Sequence, residues 1–283
     1  MTAAIAMPPF HDRPSFPHDM VAMGLQSRFP NGPLSDLVQC FWSLDQGLSV
    51  RDYPGSAQLT PRKLYPDGGV SLMICLDRDN PRATLLFNRQ TQLHPFALRE
   101  PLLSVRFHPG VLHGLFGLSP AECLSGEIEL TNVLRGEHRL LFSSMLVELF
   151  EMSSTERMST LERWFTTYVE QKTPYRRRLV HLPRILSSSQ GQLTEVAGDL
   201  GMSTRTLERH CLREIGMAPS ALLECLRMRK ARQLLAASKL PFAELALVCG
   251  YYDQAHFNRA FSNFVGETPG AYRRRKLSHS YNA

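Results

Sequence analysis

Two groups of side chains near the C-terminus recur at one spacing. Thr204, Arg205 and Arg209 form the first; Gln254, Ala255 and Arg259 form the second, with His256 and Asn258 beside them. Arginine can donate two hydrogen bonds to guanine O6 and N7, and glutamine can pair bidentately with adenine. Ala255 can offer only a methyl group to thymine. The Arg shared by both groups, at 209 and 259, suits a base edge or a phosphate. A solvated or Glu-paired surface Arg is the bland alternative at each position.

The elements needed to position these residues are legible around them. Glu195-Val-Ala, Leu200-Gly201, Leu207, Arg209, Gly216 and Pro219 are echoed by Glu244-Leu-Ala, Cys249-Gly250, Phe257, Arg259, Gly266 and Pro269. The offset is 49 up to the first Gly and 50 beyond it, because Tyr251-Tyr252 carries one extra residue. Such self-similarity implies two copies of one supersecondary unit. Each copy predicts a short amphipathic helix, a Gly turn and a second helix. Gly accepts the left-handed conformation after a helix, and Ser203 and Asp253 suit N-caps. Leu222, Leu223, Leu226, Ala231, Leu234 and Leu235 predict a long amphipathic helix between the copies. A helix-turn-helix with a basic second helix suits the major groove, where residues near that helix's N-terminal end reach base edges, and two such units on one chain could enter successive grooves roughly 34 Å apart.

Residues 192–273 resemble the DNA-binding domain of AraC/XylS-type transcriptional regulators. The matching stretches are Met202-Ser-Thr-Arg-Thr-Leu-Glu-Arg, Gly216-Met-Ala-Pro, Arg227-Met-Arg-Lys-Ala-Arg-Gln-Leu-Leu, Cys249-Gly-Tyr-Tyr-Asp-Gln-Ala-His-Phe-Asn-Arg-Ala-Phe and Gly266-Glu-Thr-Pro-Gly-Ala-Tyr-Arg. His210-Cys211 and Cys249-Gly-Tyr-Tyr depart from the usual pattern without removing a polar contact residue. Leu34 to Trp42, Tyr65-Pro-Asp-Gly-Gly and Val105-Arg-Phe-His-Pro-Gly resemble an uncharacterised domain often fused ahead of this module. The resemblance implies a sequence-specific regulator that binds double-stranded DNA and is controlled through a sensor or dimerisation domain. It leaves room for RNA polymerase, a small-molecule effector and a second copy of the chain as further partners, and it names no ligand.

Charge agrees with that division. Residues 1–173 hold 15 Lys+Arg and 18 Asp+Glu, a net of −3, and residues 174–283 hold 17 and 8, a net of +9. A basic surface for nucleic acid therefore belongs to the C-terminal part. We expect an α+β N-terminal domain and an all-α C-terminal domain with two helix-turn-helix units joined by a linker helix. The expected segments are a flexible Pro-rich lead-in over 1–24, the α+β domain over 25–172, and a linker with a first helix over 173–190. The double helix-turn-helix domain follows over 191–276 and a tail over 277–283. Within the first domain, Leu34 to Trp42 shows helical spacing. Tyr65 to Gly69 predicts a turn, and strands are expected at 70–76, 84–87 and 102–107. Apolar residues of 138–170 predict an antiparallel helix pair, whose apolar face either packs on the sheet or joins two copies.

Other chemistry finds little support. No run of 18 uncharged apolar residues exists, the start does not read as a signal peptide, and the six cysteines are scattered without a Cys-x-x-Cys. The expected setting is a reducing cytoplasm, with no membrane partner. A DNA-repair protein or a metal-dependent protein sharing the same DNA-binding module is the rival. The first needs a thiolate cluster, but Cys40, Cys75 and Cys123 stand apart on apolar stretches. The second would draw on His94, His108 and His113, which are too loosely spaced for a ligand set. With no nucleophile elbow, phosphate loop or paired carboxylates, the expectation is no catalysis, no metal and no cofactor. Tyr65, Asp67, Arg106 and His108 are polar residues near predicted strands, for which turn and surface roles are expected. Arg176-Arg-Arg and Arg273-Arg-Arg-Lys are candidate phosphate contacts, and Arg227, Arg229 and Lys230 are expected to serve helix packing.

Overall fold

The computed structural model describes residues 24–44, 62–94, 100–124, 128–171, 179, 181–188 and 193–280. Its N-terminal half is built on a six-stranded sheet. The strands are β1 (Gln26–Arg28), β2 (Val38–Leu44), β4 (Val70–Cys75), β5 (Arg82–Leu86), β7 (Leu102–Phe107) and β8 (Ile128–Glu129). They lie in the order β1-β2-β7-β4-β5-β8, with every described pair antiparallel. A separate two-stranded ribbon joins β3 (Arg62–Leu64) to β6 (Gln92–His94).

The strands expected at 70–76, 84–87 and 102–107 all form. The helix expected from Leu34 to Trp42 does not. A 3-10 turn spans Gly32–Asp36, and β2 begins at Val38. Leu34, Leu37, Val38 and Phe41 do share one core, as a helical stripe would. They reach it because the 3-10 turn and a register shift between Val38 and Cys40 aim all four the same way. Beyond the shift, Cys40, Trp42 and Leu44 face a smaller cluster with Leu25 and Leu102. A strand covered on both faces loses the alternation that identifies strands.

Helices cover the sheet: α1 (Val111–Phe116), the short α2 (Leu130–Val133), α3 (Gly136–Glu148) and α4 (Ser154–Glu170). Helix α4 lies across β2. It starts at a capping box in which the Ser153 N–H donates to Glu156 Oε2 at 2.9 Å and the Glu156 N–H donates to Ser153 Oγ at 3.4 Å. The expected helix pair is therefore present. Trp164 of α4 meets Phe142 of α3 edge-on at 4.8 Å, and the buried Arg157 ties back to Leu149 O at 2.8 Å. Phe142, Met145 and Leu146 face the core, while Leu140, Leu141 and Val147 of α3 stay exposed.

The C-terminal half is helical: α5 (Leu182–Ser188), α6 (Leu193–Asp199), α7 (Thr204–Glu214), α8 (Pro219–Ala237), α9 (Phe242–Val248), α10 (Gln254–Val265) and α11 (Pro269–Ser280). Packing divides this half between two cores. Val196, Leu207, Cys211, Ile215 and Leu222 continue the core of the sheet. Met228, Leu235, Leu245, Phe257, Phe261 and Tyr272 form a second core of their own. The first helix pair is thus seated on the N-terminal half, and the long α8 runs from one core into the other.

Candidate nucleic-acid interface

The sequence repeat is a repeat in space. In the first copy, α6 and α7 are joined at Gly201 (φ +65°), where the Met202 N–H donates to Ala197 O at 2.9 Å. In the second, α9 and α10 are joined at Gly250 (φ +80°), where the Tyr251 N–H donates to Ala246 O at 2.9 Å. Both ends are the same six-to-one closure, and it needs the positive φ that Gly adopts without strain. Each second helix then begins at an N-cap: Ser203 Oγ accepts from the Thr206 N–H at 3.2 Å, and Asp253 Oδ1 from the His256 N–H at 2.6 Å. The inserted residue, Tyr252, projects into solvent at 89% exposure.

Inward faces match as well. Leu207 and Cys211 of α7 and Ile215 at its C-cap are fully buried, as are Phe257, Phe261 and Val265 in α10. That leaves the same outward face on each helix. Arg205 and Arg209 are exposed on α7, and Gln254, Ala255, His256 and Arg259 on α10. Thr204 is half-buried at the first turn of α7. Asn258 is half-buried, and its Oδ1 is covered without a hydrogen-bond partner. It is therefore less exposed than its neighbours Gln254, Ala255, His256 and Arg259. His256 turns its ring edge-on to Tyr251 at 5.3 Å.

Among the described residues, no carboxylate pairs with Arg205, Arg209 or Arg259, and no side-chain bond engages Gln254. Other basic residues nearby are occupied. Arg213 donates to Glu214 at 2.6 Å, and Glu214 also meets His210 Nδ1 at 2.8 Å. Burial tends to raise the Glu214 carboxyl, but His210 and Arg213 outweigh it and hold it below the ordinary carboxylate range. On α8, Lys230 Nζ donates to Val248 O at 2.7 Å and Arg227 lies 5.8 Å from the Tyr251 ring. The packing role expected of these two is what the structure shows. In the last basic run, Arg273 donates to Leu240 O at 2.7 Å over the Phe242 ring, and Arg275 pairs with Glu267 at 2.5 Å. Arg274 of that run is exposed. The run Arg176–Arg178 lies outside the described residues. Exposed Tyr252 stands beside the first turn of α10, where the one-residue break in the repeat falls.

The rival chemistries can be located too. Cys40 and Cys123 are buried and apart, and burial pushes their thiols up to about 12 and about 11. A thiol so raised stays protonated and weakly nucleophilic. Cys75 is half-buried on β4. Among the described residues no group of three His, Cys, Asp or Glu could hold a metal ion, and no helix is long and apolar enough to cross a membrane. Asp67 and Arg106 form an ion pair rather than separate surface contacts. Burial alone would raise the Asp67 carboxyl, but Arg106 and the Gly69 N–H at 2.8 Å hold it below its ordinary value. Asp67 and His108 also line a cleft of about 150 Å³ where the two halves meet, with Arg184 and Arg229 across it.

The C-terminal half is thus a pair of helix-turn-helix arrangements, each exposing side chains of its second helix that have no carboxylate partner among the described residues. Comparison agrees: the helix-turn-helix domain family matches residues 196–275. The chain therefore carries a helix-turn-helix domain over residues 196–275, similar to those of AraC-type regulators. It is 36% identical over 98 residues to the ornithine utilization regulator of Pseudomonas aeruginosa, a match covering 34% of this chain and 29% of that protein. It is 25% identical over 279 residues to the transcriptional activator RhaS of Escherichia fergusonii, covering 93% and 96% of the two chains. Among solved structures, an AraC-type regulator from Chromobacterium violaceum aligns with TM-score 0.34 and 26% identity over 35% of this chain and 91% of that one. These relatives are regulators of transcription, and the DNA-repair and metal-dependent readings are not favoured.

Proposed function

We propose that the chain is a sequence-specific, double-stranded-DNA-binding transcriptional regulator that reads successive major grooves with α7 and α10, its two helix pairs acting as helix-turn-helix units. The observation that carries this reading is the repeated outward face. Arg205 and Arg209 on one helix and Gln254 and Arg259 on the other are exposed and unpaired, with Arg209 and Arg259 at corresponding positions. Thr204, Arg205 and Arg209 of α7 and Gln254, Ala255 and Arg259 of α10 face the groove, the arginines and Gln254 for base or phosphate contacts and Ala255 for a thymine methyl, with His256 and Asn258 flanking. The N-terminal half controls the reader. The junction cleft offers an effector a position from which to bias it, and the exposed Leu140, Leu141 and Val147 of α3 offer a second copy a surface. RNA polymerase is the partner through which a promoter-bound regulator of this kind acts.

The test is selection of bound duplexes from a random pool by the full-length chain and by its Arg205→Ala/Arg259→Ala variant. The expected result is a motif with two boxes about one helical turn apart, lost in the variant. Sequence-blind, salt-sensitive binding by the unmodified chain would refute the reading.

A further inference from the structure

One short loop of the N-terminal half touches the C-terminal ends of both proposed reading helices. The loop connects β5 to β6 and spans residues 87–91. Its Arg89 Nε donates to Gly216 O at 2.8 Å, just past α7. Two residues on, Thr91 Oγ1 donates to Phe264 O at 2.6 Å, in the last turn of α10. The paired strand β3 adds a third bond, from Lys63 Nζ to Val265 O at 2.7 Å. These acceptors lie where helical carbonyls run out of intrahelical donors and the helix dipole is negative. Two of the three donors are cations, the charge that suits those ends.

The loop is held and closely fitted. Asn88 Nδ2 donates to Leu64 O at 3.2 Å and to Gln90 O at 3.1 Å, pinning it to β3. A Cβ on Gly216 would come within 3.0 Å of the Phe87 ring, so the helix end and the loop are in contact as built. Tyr65, next to β3, stacks on Phe264 at 6.3 Å between centroids and carries the Arg232 guanidinium at 3.8 Å on its ring.

We infer that Arg89, Thr91 and Lys63 are positioning residues for DNA reading: the loop at 87–91 and its ribbon form a second strut, besides α8, that sets the distance and angle between α7 and α10. This rests on the DNA-reading function proposed above. A single strut between two units leaves them free to pivot about it, whereas a second attachment at the far ends removes that freedom. The chain then accepts one spacing between its two boxes, and the N-terminal half sets that spacing although it touches no base.

Two measurements on the full-length chain test this. Variants are Lys63→Met/Arg89→Met/Thr91→Val, which removes the three bonds, and Asn88→Ala, which loosens the loop without touching either reading helix. First, spin labels on Cys introduced at the exposed Leu212 and Asn263, in a Cys75→Ser background, report the interhelix distance without DNA. The unaltered loop should give one narrow distribution, and both variants a broader one; equal widths would overturn the inference. Second, affinity is measured on duplexes whose boxes are moved by one base pair either way. The preference for the best spacing should fall at least fivefold in the variants, while binding to a single box stays the same. A uniform loss at every spacing, the result of mere destabilisation, would overturn the inference. If the unmodified chain shows no two-box preference, the proposed function itself fails, and the label distances still decide whether the strut exists.

Discussion

Replacing Gly216 with Ala should destabilise this protein far more than the same change at the other helix-ending glycines. Gly216 has φ +80°, a left-handed conformation that costs an L-residue roughly 1–2 kcal/mol. The new Cβ would lie 2.8 Å from Pro120 Cβ and 3.0 Å from Phe87 Cε1 and Cζ. A proline ring and a packed aromatic edge yield poorly, and such overpacking typically costs a further 1–3 kcal/mol, roughly. The expected loss is therefore about 2–5 kcal/mol. Gly201→Ala is the control. Its φ is +65° but nothing lies within 4 Å of the added Cβ, so only the backbone cost of about 1–2 kcal/mol applies. Gly250→Ala, where a Cβ would approach only the Arg227 guanidinium at 3.2 Å, should resemble the control because that side chain can swing away. Urea and thermal melts followed by circular dichroism read the difference. For a chain of this size, each kcal/mol moves the melting temperature by about 2–4 °C. Gly216→Ala melting at the same temperature as Gly201→Ala would refute the close seating of the first helix pair on the N-terminal half.

Other expectations follow from the same geometry. Arg205→Ala should cost about 1–3 kcal/mol of operator binding and relax preference at one base position, with fold unchanged; unaltered preference in a duplex selection would show that α7 does not read bases as assigned. Asp253→Ala removes the cap on the His256 N–H and should lose about 1 kcal/mol of stability, measured by urea melts, with Asp253→Asn largely restoring it. Asp67 is held below its ordinary pKa, so its contribution is complete above the unfolded value near pH 4 and is lost as pH falls through the folded value. Asp67→Asn should destabilise at neutral pH by on the order of 3 kcal/mol and flatten the acid limb of the stability profile; an unchanged acid limb would show that the Asp67–Arg106 pair contributes nothing to it.

Much of the reader was legible in the chain because its signals are local. Ser203 and Asp253 cap, and Gly201 and Gly250 turn, through interactions spanning five residues or fewer, and the 3.6-residue spacing of Leu207 and Phe257 with their apolar neighbours marks the inward faces. Duplication doubled each of these signals, and it marked Arg209 and Arg259 as equivalent. The strands at 70–75 and 102–107 were visible for the same reason, as short apolar runs ended by turn residues.

What the tertiary structure alone decided lies wherever distant segments meet. The stretch from Leu34 to Phe41 mimics a helix because a 3-10 turn and a register shift bring four apolar residues to one side, and that shift exists only opposite β7. Asp67 and Arg106 lie 39 positions apart, and their pairing depends on how the sheet brings the turn before β4 to β7. The short β3–β6 ribbon carries too few residues to show a period, yet it places Lys63 202 positions from its acceptor at Val265 and Thr91 173 from Phe264. Periodicity reports which face of an element is buried, not what buries it. The sequence by itself determined the two helices α7 and α10 and the side chains they present; only the folded chain decided that one loop of the other half would hold the ends of both.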